Sequence, residues 1–226
     1  MTSVVSLLST VVILLAAYAL SVRALPAHTS LKIRVLFIWH AFDALIHFFF
    51  EGSYLYHCFF TYVSLPSPLH DGPYFLNEPL RAYGSAFGTS PTARLWQEYA
   101  RADKRWDAAD ATVISLEILT VFGGGPLAVW ICNCMKRQDW GTAWICMIIL
   151  ATAELYGGWI TFCPEWLTGS TSLDTSNFMY LWVYLFFFNT LWVWIPLWII
   201  YEGSNAIQSA FKAAGTSNGK IASKRS

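Results

Sequence analysis

Residues 33–63 read IRVLFIWHAFDALIHFFFEGSYLYHCFFTYV. A run this long and this apolar crosses a bilayer with residues to spare, since about 20 suffice. Yet it carries His40, Asp43, His47, Glu51 and Tyr54 at successive separations of three, four, four and three residues. That spacing stacks side chains along one face of a helix. A charged group at mid-bilayer costs roughly 3 kcal/mol or more, so the stripe is expected to turn inward, against other helices. Contacts such as His47 with Glu51 could serve cohesion alone. Ser, Thr or Asn would do that at lower cost than four ionisable groups.

Working outward, four more runs have the length of a span: 1–22, which carries no charge, then 111–135, 142–163 and 179–200. The composition agrees, with 56% apolar, 17% aromatic and only 12% charged residues in 226, a balance outside the soluble class. The expected fold is all-α: a bundle of five transmembrane helices enclosing a cavity open to the membrane. The first run lacks the basic flank of a signal peptide and is taken as a span. The core is expected over 33–203, with a loop at 64–107 and a polar, basic, disordered tail at 204–226.

Fourteen Lys and Arg balance fourteen Asp and Glu, which removes the electrostatic case for nucleic acid. Nine of the basic residues fall between spans one and two, between three and four, and in the tail; the other five share the long second loop with six acids. The excess marks the cytosolic side, so a lumenal N-terminus and a cytosolic C-terminus are expected. In that loop, residues 64–92 hold five of nine prolines and predict irregular structure folded down as a lid. Residues 93–107 predict a helix with Leu95, Tyr99 and Trp106 on one face. Five cysteines without CxxC spacing indicate neither a disulfide framework nor a zinc site.

Other spans carry polar groups too. Asp110, Glu117 and Thr120 share a face of span three, with Asp110 equally readable as a carboxylate at a helix start. Glu117 has no Lys or Arg within two turns and needs a partner on another span or a proton. Glu154 lies on span four, and span five carries Asn189 with Trp192 one turn on. Most of the twelve tryptophans suit an interfacial belt, while Trp192 could face a cavity, where an indole stabilises positive charge. Gly123, Gly124, Gly125 and Pro126 sit inside a span and predict close packing or a kink. A histidine and carboxyls among aromatic walls suit an apolar substrate protonated at a carbon–carbon double bond and deprotonated elsewhere, a reaction that requires neither cofactor nor metal. Five histidines are too few for a membrane di-iron site, and HExxH, GxSxG, GxGxxG and P-loop motifs do not occur.

IHFFFEG (46–52), LWQEYARADKRW (95–106), DATVISLEILT (110–120), GPLAVW (125–130), ELYG (154–157) and FFNTLWVWIP (187–196) together resemble the emopamil-binding protein family of sterol Δ8–Δ7 isomerases and related ligand-binding proteins. The resemblance covers about 33–60 and 95–202. It implies a five-helix endoplasmic-reticulum protein in which His47, Glu51 and Glu117 are catalytic. It also implies that Thr120 accompanies the acid and that Asn189 and Trp192 meet the substrate and its developing cation. The candidate substrate-binding set is Asp43, Trp106, Asp110, Thr120, Glu154, Tyr156, Asn189 and Trp192. Departures lie in the walls: a long Pro-rich segment, Ala111 after the aspartate, Trp106 for a tyrosine, and Glu154 and Gly158 flanking the Tyr-Gly pair. The expected activity is a double-bond shift in a sterol or terpenoid drawn from the bilayer. Alternatives are a terpenoid or meroterpenoid cyclase started by the same acid, and a non-enzymatic sterol- or amine-binding protein. Cationic amphiphilic amines are the expected inhibitors, and a homodimer is left open.

Overall fold

The computed structural model describes residues 2–223. Among the described residues, five helices are long and apolar enough to span a membrane: Val4–Ala24, Leu31–Phe60, Ala111–Lys136, Trp140–Leu167 and Met179–Gly215. Helix α1 (Thr2–Ala24) presents Val4, Leu8, Val12 and Leu15 outward, as a lipid-facing helix must, and packs on the second span. That span is α2 (Leu31–Leu45), a π-helical segment Ile46–Glu51, and α3 (Gly52–Phe60). The third is α5 (Ala111–Leu119), a π segment Thr120–Gly124, and α6 (Gly125–Lys136). Helix α7 (Trp140–Leu167) forms the fourth; a π segment Met179–Phe188 runs into α8 (Asn189–Ser223) to form the fifth.

Local chemistry sets the boundaries. Ser30, Asp110 and Asp139 each accept a backbone N–H three residues on, the N-cap arrangement. Asp110 therefore serves as a cap, through Val113 N at 2.9 Å, rather than standing in the cluster of carboxyls. Packing runs α1 on α2, α2 on α6, α6 on α7 and α7 on α8. The glycine run is explained by the second and third spans crossing at their π segments. A Cβ on Gly125 would sit 2.9 Å from the Phe48 ring, and one on Gly124 would sit 3.3 Å from His47 Nε2.

The loop face differs from expectation in two places. The Pro-rich segment is clamped at its ends by an antiparallel pair, β1 (Tyr62–Ser64) with β2 (Arg81–Tyr83), Tyr62 opposite Tyr83; four prolines, Pro66, Pro68, Pro73 and Pro79, fall in the connection, where no ladder N–H is required. The helix expected over 93–107 is shorter: α4 is Pro91–Tyr99, started by Ser90 and Pro91. It buries Ala93, Trp96 and Glu98 and leaves Leu95 half-buried. The chain then turns because Asp103 accepts Arg105 N and grips its guanidinium at 2.9 and 2.6 Å. Burial alone would lower the Arg105 pKa; the Asp103 pair outweighs it and leaves it raised. Arg105 also donates to Thr161 O and lies 3.8 Å from Glu165, tying the loop to the end of α7. On the opposite face, α8 continues to Ser223 through the segment expected to be disordered, where Ala, Gln and Lys favour helix; residues 224–226 lie outside the described ones.

Candidate active site

His47 is the centre of the inward stripe. It is 4% exposed at its side chain, and Asp43 and Glu51, one turn to either side, are 0% and 15% exposed. The imidazole Nδ1 lies 2.6 Å from Glu51 Oε2. Its Nε2 approaches Asp43 Oδ1 at 3.2 Å without hydrogen-bond geometry. Trp192, from α8, donates its indole N–H to the same Asp43 oxygen at 2.9 Å, and Trp39 and Phe42 flank that indole at 5.3 and 6.0 Å between centroids.

On the loop side of His47, the third span delivers Glu117 within hydrogen-bonding range of Glu51. Thr120 donates to Glu117 Oε2 at 3.0 Å and also stands within reach of Glu51. Glu117 thus finds the partner on another span that its isolation in sequence demands. Two carboxyls in hydrogen-bond contact need a proton between them, because two adjacent carboxylates in a dry interior repel. The arrangement is a row: Asp43, His47, Glu51, Glu117, Thr120.

A roof of rings closes the loop side. Trp96 and Trp106 stack at 4.9 Å with an interplanar angle of 6°, and Tyr54 packs against both at 5.3 and 4.8 Å. Trp106 belongs to this stack. Asn189 has a structural place beside it: its amide donates to Tyr184 O and Leu185 O at 2.8 and 3.0 Å and to Tyr99 Oη at 3.3 Å, supplying carbonyls of the π segment. Burial raises the Tyr99 pKa, so this phenol stays protonated.

Glu154 reaches the cluster from α7, near Asp43. Tyr156 does not: two residues on along a helix faces another way, and it is 67% exposed. Sequence reading missed Tyr99 as the partner of Asn189, Trp39 and Phe42 as the bed of Trp192, and Arg105 as the loop's tie. Only the aromatic density of 95–106 signals the first of these. An apolar groove of about 510 Å³ lies between α1 and the second span, lined by Val5, Leu8, Val12, Ile13, Leu45 and Phe49 among others. Leu45 and Phe49 stand on the other face of the helix from His47, so this groove is not where the carboxyls meet.

The sequence model of the family described as EXPERA (EXPanded EBP superfamily) matches residues 91–203, half of the chain. The chain belongs to this family. It is similar to a 3-beta-hydroxysteroid-Delta(8),Delta(7)-isomerase of Cavia porcellus, 29% identical over 55% of this chain and 54% of that protein. It is also similar to a probable isomerase of the same name from Oryza sativa subsp. japonica, 27% identical over 79% and 70%. A third relative is an isomeliandiol synthase of Melia azedarach, 25% identical over 72% and 64%. The chain spans about half the length of the mammalian relatives it matches.

Proposed function

We propose that this EXPERA-family membrane protein shifts a carbon–carbon double bond in a sterol or terpenoid that enters from the bilayer. The observation that carries the reading is the buried Glu51–Glu117 pair, braced by Thr120 at 3.0 Å and by His47 at 2.6 Å. In this reading Glu117 donates its proton to one carbon of the alkene, leaving a cation on the adjacent carbon. Glu51, with the His47 ring behind it, accepts a proton from the next carbon, and the double bond forms there. Glu51 then releases that proton to solvent and Glu117 takes up a new one from solvent, so nothing is consumed. Surrounding rings offer negative π faces to the transient cation. A hydrophobic amine protonated at neutral pH should imitate it and inhibit. The relatives named as sterol isomerases support this chemistry. Nine basic residues on the tail side support an endoplasmic-reticulum orientation with the N-terminus lumenal and the C-terminus cytosolic.

The test is expression in a cell lacking sterol Δ8–Δ7 isomerase, followed by sterol profiling. A shifted double bond supports the sterol version. Accumulated unshifted sterol removes it and leaves a terpenoid substrate. A second reading, in which the same acid starts cyclisation of a terpenoid, draws on the synthase-named relatives; a ring-closed product from a supplied prenylated substrate would select it. Unchanged substrates in both assays, with tight sterol binding, would select a binding protein.

A further inference from the structure

On the tail side of His47 the polar atoms lack partners. Asp43 Oδ2, His47 Nε2 and both Glu154 carboxyl oxygens are buried, with no hydrogen bond among the described residues. One donor atom each from Asp43, His47 and Glu154 lies within 4.8 Å of the others. Two are already oriented from behind: His47 through its Nδ1 contact with Glu51 at 2.6 Å, and Asp43 through the Trp192 indole at 2.9 Å. A carboxylate behind a histidine, and a hydrogen bond to a carboxylate oxygen, are the outer contacts that aim metal ligands. Gly124 leaves room at Nε2, where a Cβ would come within 3.3 Å. Among the described residues no Lys or Arg is buried beside them, so the two carboxylates need a proton or a metal cation between them.

We propose that Asp43, His47 and Glu154 bind a first-row divalent transition-metal ion. One imidazole nitrogen and two carboxylates suit Zn²⁺, Mn²⁺ or Fe²⁺ better than Ca²⁺ or Mg²⁺, which take oxygen donors. Two carboxylates and a neutral imidazole around a dication sum to zero charge. This departs from the sequence expectation of no metal, because no motif spacing joins residues on two different spans. The ion lies behind His47, away from Glu117, so the proposal does not rest on the isomerase reading.

The experiment is a Co²⁺ titration of chelator-treated full-length protein in detergent, followed by visible absorption, with Zn²⁺ as competitor and thermal unfolding measured alongside. Wild type should bind about one Co²⁺ per chain and melt at higher temperature with it. Asp43→Asn and Glu154→Gln, each first shown to unfold cooperatively, should weaken binding at least about tenfold. Gly124→Ala keeps all three donors and should weaken it by crowding, which covers the case in which a ligand variant fails to fold. Glu117→Gln should bind as wild type does. Folded wild type that takes up no Co²⁺, or folded variants at Asp43, Glu154 and Gly124 that bind as tightly as wild type, would overturn the proposal.

Discussion

Between His47 and the loop face, Glu51, Glu117 and Thr120 satisfy one another in a continuous chain of contacts. Between His47 and the tail face, His40, Asp43 and Glu154 retain five buried atoms without a hydrogen-bond partner: both His40 nitrogens, Asp43 Oδ2 and both Glu154 oxygens. Carboxyls lie at both ends. What differs is the neighbouring helix. The third span crosses at a π segment and brings a carboxyl and a hydroxyl to the loop end, while α7 brings only a carboxyl to the other. An end whose members share hydrogen bonds can pass a proton among them. An end with convergent bare lone pairs needs a proton, a metal cation or water to be stable.

Four substitutions test that division, beginning with the largest effect. Glu117→Gln removes the only group proposed to donate the proton; product formation, followed by mass spectrometry of extracted lipid, should fall about 10³-fold with the melting temperature little changed. Trp106→Ala takes a ring from the roof and should cost about 3–5 kcal/mol of stability in thermal unfolding, with turnover falling because the loop end is no longer closed. Asn189→Ala strands carbonyls of the Met179–Phe188 segment and loses the Tyr99 contact; about 1–2 kcal/mol is expected by the same measurement. Lys32→Ala breaks only the outer pair with Glu202, 2.8 Å apart but half exposed at the lysine, and should leave both turnover and melting unresolved from wild type.

The five spans were legible because lipid demands uninterrupted apolar length, and the inward stripe was legible because three- and four-residue spacing defines a helix face. The glycine run was readable as close packing, though not its target, the His47–Phe48 segment. Asp110 could not be assigned from spacing alone, since a cap and a site carboxylate look alike until the Val113 N–H is seen. The helix expected over 93–107 failed because an Asp103–Arg105 grip overrides the local helical pattern, and a contact at i,i+2 gives no periodic signal. The antiparallel clamp at Tyr62 and Tyr83 was hidden by the prolines between its strands. Tyr156 entered through its neighbours in ELYG, and the helix turns it outward.

The central claim is that the Glu51–Glu117 pair supplies the proton that moves the double bond. Purified wild-type protein and Glu117→Gln, incubated in heavy water with a Δ8 sterol or the terpenoid substrate that profiling identifies, test it most directly by product mass. Wild type should yield shifted product carrying one solvent deuterium, and Glu117→Gln should yield almost none. Shifted product without deuterium, or comparable deuterated product from folded Glu117→Gln, would contradict it.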